Sequence, residues 1–114
     1  MNTKAIGDSG EKIAKELLKK KGYKILDNNF RCDRGEIDLI VQKGKTIVFV
    51  EVKTRKDDSF SSAIESVNYH KQQRIIFTAK YYITTNKLKD FQYRFDVIEV
   101  YNDQINHFEN AFTL

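Results

Sequence analysis

Proline is absent from this 114-residue chain, cysteine occurs once and histidine twice. Each shortage removes a class of answer. With Cys32 alone no internal disulfide can form, and such a chain is at home in a reducing cytoplasm. His70 and His107 lie far apart, and one cysteine cannot complete a structural zinc set with them. Without proline the loops lack a strong rigid marker. No apolar run approaches the roughly 20 residues that a membrane helix requires, and Met1-Asn2-Thr3-Lys4 opens no signal peptide. No membrane partner is therefore expected. Gly7 and Gly10 match neither a phosphate-binding loop nor a dinucleotide fingerprint, and no Gly-x-Ser-x-Gly elbow accompanies the serines. Internal repeats, low-complexity tracts and interdomain linkers are also missing.

What is present fits one globular domain over residues 1–114. The hydrophobic share of 40% and charged share of 32% allow a real core. The net charge of +4 permits a polyanionic partner without demanding one. Lys19, Lys20 and Lys21 suit the negative end of a helix dipole, where they would be solvated. Arg31, Arg34, Arg55 and Lys56 flank the acidic segment described below and fit phosphate contacts better, and Lys71, Arg74 and Lys80 form a later group. His70 is expected to be exposed or to touch phosphate.

Asp8 is placed to cap a helix from Ser9 to about Lys21, with Ile13, Ala14, Leu17 and Leu18 on its apolar face and Gly22 stopping it. Tyr23 to Phe30 reads as a strand. Residues 57–62 read as a polar loop. Ile75, Ile76, Ala79, Tyr82 and Ile83 recur at helical spacing, which predicts a helix from about Asn68 to Thr84. Tyr81, Tyr82 and Phe95 are expected in the core or at its rim. Tyr93 to Val100 reads as a strand, with a short last one over Ile105 to Phe108. The order αβββαβ plus a terminal element outlines an α/β sandwich.

The chemistry concentrates between these helices. Gly35 to Val41 and Thr46 to Lys53 are β-rich runs joined by a short link, which predicts a hairpin. With Lys43-Gly44 as a two-residue loop, Asp38 faces Phe49 and Glu36 faces Glu51. Side chains alternate along a strand, so Glu36, Asp38, Glu51 and Lys53 share one face. Like charges so arranged destabilise a sheet. A divalent cation among them would remove that cost, and oxygen ligands favour Mg²⁺ or Mn²⁺ over zinc. The same crowding predicts that Glu51→Gln stabilises the metal-free protein. Asp96 reads as a hydrogen-bonding residue at a strand edge, with a ligand-side role as the alternative.

Asp38 with Glu51-Val52-Lys53 resembles the PD-(D/E)XK nuclease signature, although Ile37 stands where the nominal proline would be. The wider text resembles the YraN family of small bacterial proteins, similar in fold to archaeal Holliday-junction resolvases. The matching stretches are Gly10-Glu11, Gly22-Tyr23, Asn29-Phe30-Arg31, Gly35 to Ile40, Phe49 to Arg55, Lys71, Arg74, Ala79, Tyr82 and Arg94 to Ile98. This resemblance implies a restriction-endonuclease-like αβββαβ core, a mixed sheet flanked by helices. It also implies a Mg²⁺- or Mn²⁺-dependent endonuclease acting on DNA, branched DNA included, and working as a homodimer. Asp38 and Glu51 would then hold the metal with the Val52 carbonyl, and Lys53 would act on water or phosphate. Glu11 has two roles open to it: reaching the metal from the first helix, or closing a capping box with Asp8. Arg31, Arg34, Arg55, Lys56, Lys71 and Arg74 would contact nucleic acid. The alternative function is a catalytically inactive nucleic-acid-binding or adaptor module on the same fold.

Overall fold

The computed structural model describes residues 3–55, 67–102 and 104–113, with side chains from Ser9 onward. Lys56 and the expected loop at 57–62 lie outside the described residues. The elements run α1 (Thr3–Lys20), β1 (Lys24–Cys32), β2 (Gly35–Lys43), β3 (Thr46–Arg55), α2 (Tyr69–Thr85), β4 (Gln92–Tyr101) and β5 (Gln104–Phe112). The αβββαβ order is observed, and the final strand is longer than its short apolar core suggests.

The sheet has the order β1-β2-β3-β4-β5, with β3 and β4 parallel and the other neighbours antiparallel. Parallel neighbours need a crossover, and α2 lies within the segment joining β3 to β4. Ile47 to Val50 is buried throughout because β3 has a core on each of its faces. On one face Leu39, Val41, Val48, Val50 and Ile98 pack with Ala14 and Leu18 of α1. On the other Ile40, Ile47, Phe49 and Phe95 pack with Ile75, Ile76, Ala79 and Tyr82 of α2. Tyr82 and Phe95 are thus core, whereas Tyr81 is exposed. Among the described residues no helix is long and apolar enough to cross a membrane.

Two local expectations are corrected. Helix α1 begins at Thr3, so Asp8 lies inside it and is not its cap. Its end is as expected: Gly22 N–H donates to Lys19 O and Tyr23 N–H to Leu18 O, closing the last turn. The hairpin loop is Gly44-Lys45, because Lys43 pairs with Thr46 and Gln42 with Ile47. Gly44 has φ +60°, and a two-residue turn of this kind needs glycine in its first position. A Lys43-Gly44 loop would have put lysine there. The register moves by two residues, so face parity is kept and Asp38 no longer pairs with Phe49. Helix α2 starts one residue after the expected position, with the Asn68 side chain accepting the Lys71 N–H at 3.0 Å.

Candidate active site

The β2–β3 ladder ends at Leu39 and Val50, yet both strands continue, β2 paired with β1 and β3 with β4. A fork in a sheet leaves backbone donors that need partners. Asp38 supplies one, its Oδ2 accepting the Val52 N–H at 2.7 Å. Carried one step past its last pair, the register sets Asp38 opposite Glu51.

The two carboxylates meet different partners. Glu51, 8% exposed, has Lys71 Nζ at 2.7 Å and Lys53 Nζ at 3.6 Å from the same oxygen. Burial, and then the charge of Glu51, push the Asp38 carboxyl up to about 7, with Glu11 and Glu36 adding to the push against the pull of the Val52 amide. Burial and the neighbouring Lys71 lower the Lys53 amine, which Glu51 only partly restores. Burial also works against charged Lys71, but its hydrogen bonds to Glu51 and Lys53 prevail and raise it. Of the two amines Lys53 is the easier to deprotonate.

A cavity of about 360 Å³ opens onto Asp38, Glu51 and Lys71. Glu36, Asp38 and Glu51 line it from the sheet, Lys71 and Arg74 from α2, and Arg34 from the turn before β2. Close helix packing holds both sides in place. A Cβ on Gly35 would come within 2.9 Å of Thr78 Oγ1 and 3.2 Å of the Arg74 carbonyl oxygen, so α2 seats directly on the start of β2. On the opposite face a Cβ on Gly10 would overlap the Thr54 hydroxyl, so the α1 backbone at Gly10 packs directly on the Thr54 side chain of β3. Glu11 follows Gly10 and is half-buried. With Asp8 inside the helix the capping-box role of Glu11 lapses, and its charge is felt at Asp38 instead.

The basic residues divide. Arg34 and Arg74 are exposed and border the cavity. Arg31 is exposed and pairs with Glu36 at 3.3 Å. Arg55 instead donates from its guanidinium to buried Glu99 at 3.0 Å, and Lys71 is engaged with Glu51. That engagement of Lys71 is not visible in the sequence, where only its charge shows. His70 is exposed.

A second acidic group lies elsewhere on the sheet. Ligand atoms of Asp96, His107 and Glu109 fall within 4.8 Å of one another. Its donor capacity is already used. Both Asp96 oxygens accept from the Arg94 guanidinium at 2.9 Å, and the Asn110 N–H and the His107 ring nitrogen add to them. The other His107 nitrogen meets Lys21 Nζ at 2.8 Å. Burial would raise Asp96, but His107, Arg94 and Asn110 bring it below its ordinary value. Asp96 is a hydrogen-bonding residue, as expected, but on an internal strand rather than an edge.

The model of a family described as "Uncharacterised protein family UPF0102" matches residues 10–100, a span containing Glu11, the hairpin and α2. A UPF0102 protein of Caldanaerobacter subterraneus subsp. tengcongensis is 50% identical over 119 residues, covering 98% of both chains. One from Clostridium acetobutylicum is 48% identical over all of this chain and 90% of its own length. One from Clostridioides difficile is 49% identical over 98% of this chain and 100% of its own. With its motifs and its matched length agreeing, the chain belongs to the UPF0102 family, the YraN family its motifs resemble.

Proposed function

We propose that this protein is a metal-dependent nuclease that hydrolyses DNA phosphodiesters in the cavity at the hairpin fork. The observation that carries this reading is the crowding of carboxylates around Asp38. A part-buried carboxyl pushed up to about 7, first by burial and then by Glu51, Glu11 and Glu36, is a place where a divalent cation would offset the crowded charge. The donor set is oxygen only, which suits Mg²⁺ or Mn²⁺, and Asp38 and Glu51 would hold the ion with the Val52 carbonyl and Glu11. Bound there, the ion would supply Lewis-acid stabilisation and a more acidic water.

The chain's own groups do the rest. Arg34 and Arg74 border the cavity and attract the phosphate backbone into it. Lys53, with its lowered amine, is suited to exchange a proton with the attacking water or to meet charge growing on the phosphate. Lys71 stays charged and holds Glu51 in position. Branched DNA as substrate, a homodimer, a single domain and a cytoplasmic location belong to the same proposal.

One observation favours the alternative of a binding module without turnover: Lys71 already neutralises Glu51 at 2.7 Å. The deciding experiment offers linear duplex, single-stranded, flapped and four-way-junction DNA with Mg²⁺ and with Mn²⁺. Cleavage by the wild-type protein and its loss in Asp38→Ala supports the nuclease. Binding of these DNAs with no cleavage of any would leave the binding module in its place.

A further inference from the structure

Helix α2 presents a second stripe beside the one that meets the fork. Lys71, Arg74 and Ile75 line the active-site cavity, while Gln73, Ile76, Phe77 and Lys80 follow at spacings of three, four and seven, one stripe over. That stripe lines a second cavity of about 310 Å³. Arg34 and Arg74 border both cavities, so the two adjoin.

The second cavity combines features that an ordinary solvated helix face lacks. Phe77 is 38% exposed, and the Arg34 guanidinium carbon lies 4.5 Å from the centre of its ring. Among the described residues the large exposed hydrophobic side chains are Tyr69, Phe77 and Tyr81, all on α2. The 17 residues of α2 contain no aspartate or glutamate, although they carry Lys71, Arg74 and Lys80. Flat apolar surface ringed by cations, with no anion on the helix, complements a ligand that is itself flat, apolar and polyanionic. A nucleotide with its base unstacked has that chemistry. Intact duplex does not, because its base faces are covered by their neighbours.

We infer that this second cavity receives an unpaired nucleobase on the DNA strand whose phosphate enters the active site. The base stacks on the Arg34–Phe77 pair, the Gln73 amide meets its edge, and Lys80 takes a neighbouring phosphate. The substrate class is then DNA with unpaired nucleotides beside the scissile bond. This assignment rests on the nuclease reading for the phosphate's position, but binding tests it without cleavage.

The test compares wild type, Phe77→Leu and Phe77→Trp. Each is titrated, in EDTA, with a blunt duplex and with the same duplex carrying a single-stranded tail. A 2-aminopurine in the tail reports stacking by its quenching. Phe77→Leu keeps an apolar side chain at a part-exposed site, and thermal melting checks its fold. Base stacking is worth roughly 1–3 kcal/mol, so Phe77→Leu should weaken tailed DNA by about fivefold or more, abolish the quenching and change blunt duplex by less than about twofold. Phe77→Trp should bind tailed DNA as well as wild type does. Equal loss on both DNAs, or no loss on either, overturns the base site while leaving the nuclease intact. Selective loss together with no cleavage by wild type keeps the base site and removes the catalytic reading. Failure of wild type to bind either DNA overturns both.

Discussion

Asp38 and Asp96 stand on strands of one sheet, and the same burial that penalises both carboxylates ends in opposite outcomes. Around Asp96 the fold supplies a guanidinium, an imidazole and an amide, and the carboxyl drops below its ordinary value. Around Asp38 it supplies one amide, three further acids and the charge of Lys71 nearby, and burial followed by the acids raises the carboxyl to about 7. Ligand spacing alone would favour the tighter group at Asp96, whereas charge balance favours Asp38. The difference teaches that a clustered donor set already saturated by the protein is a brace. One left crowded with like charge is the better candidate for a ligand.

The largest expected effect would test the brace. Asp96→Ala strands the Arg94 guanidinium and the buried His107 ring without their shared acceptor. Breaking a buried pair in this way costs roughly 3–5 kcal/mol. Denaturant unfolding should show that loss, while Asp38→Ala should cost less, because removing a crowded carboxylate offsets the loss of the Val52 acceptor. Equal destabilisation by both would erase the contrast between the two sites.

Catalysis comes next. Lys53→Ala should slow cleavage by about 10²-fold, the usual cost of removing a group that stabilises developing charge. Metal binding, read as a Mn²⁺-induced rise in melting temperature, should survive in that variant. Asp38→Ala should lose both properties. A Lys53→Ala protein that cuts at the wild-type rate would leave the nuclease standing and remove Lys53 from its mechanism.

The pH dependence separates the sites by sign. Asp38 has a native pKa of about 7 against an ordinary 3.8, so the metal-free native state binds its proton more firmly than the unfolded chain does. Its stabilising contribution is complete below about pH 4 and is lost as pH rises through about 7. Asp38→Asn keeps an acceptor for the Val52 amide and should stabilise metal-free protein at pH 8 by on the order of 2 kcal/mol, with no gain at pH 4. Asp96 is lowered, so its contribution is present above the ordinary carboxylate range and lost as pH falls through its native value. Asp96→Asn should therefore flatten the acid limb of the stability curve. Melting temperatures across pH check both, and a gain for Asp38→Asn at pH 4 equal to that at pH 8 would exclude the charge explanation.

The sequence made the acids on the hairpin legible because period-two alternation survives a register shift of two residues. Asp38 and Glu51 therefore stayed on one face although Gly44 moved the loop. Charge partners were less legible, since they depend on which helix face meets which strand end. Lys71 looked like one more basic residue, yet it reaches Glu51 from α2. The crowding expected at Glu51 raises Asp38 instead, so Glu51→Gln would relieve repulsion on Asp38 while removing two lysine contacts. Phe77 is not distinguishable in the sequence, because apolar residues of α2 at helical spacing look alike. Only the packing separates buried Ile76 from half-exposed Phe77.

The smallest effect concerns an arginine–carboxylate pair that shares its chemistry with Arg94–Asp96 but not its surroundings. Arg31 lies 3.3 Å from Glu36 with its side chain 73% exposed, whereas the Asp96 side chain is 0% exposed. Water screens the first pair, and ordering two long side chains offsets most of the attraction. Arg31→Ala should accordingly cost less than about 1 kcal/mol in stability. If Arg31 also meets a phosphate, the slope of log affinity against log salt should become shallower by about 0.9. Removing Arg34 and Arg74 together should change that slope about twice as much. A salt titration of DNA binding with the three proteins measures both. An Arg31→Ala slope equal to wild type would remove Arg31 from the phosphate contacts, and an equal effect from Arg31 alone and the double variant would move the DNA path toward β1.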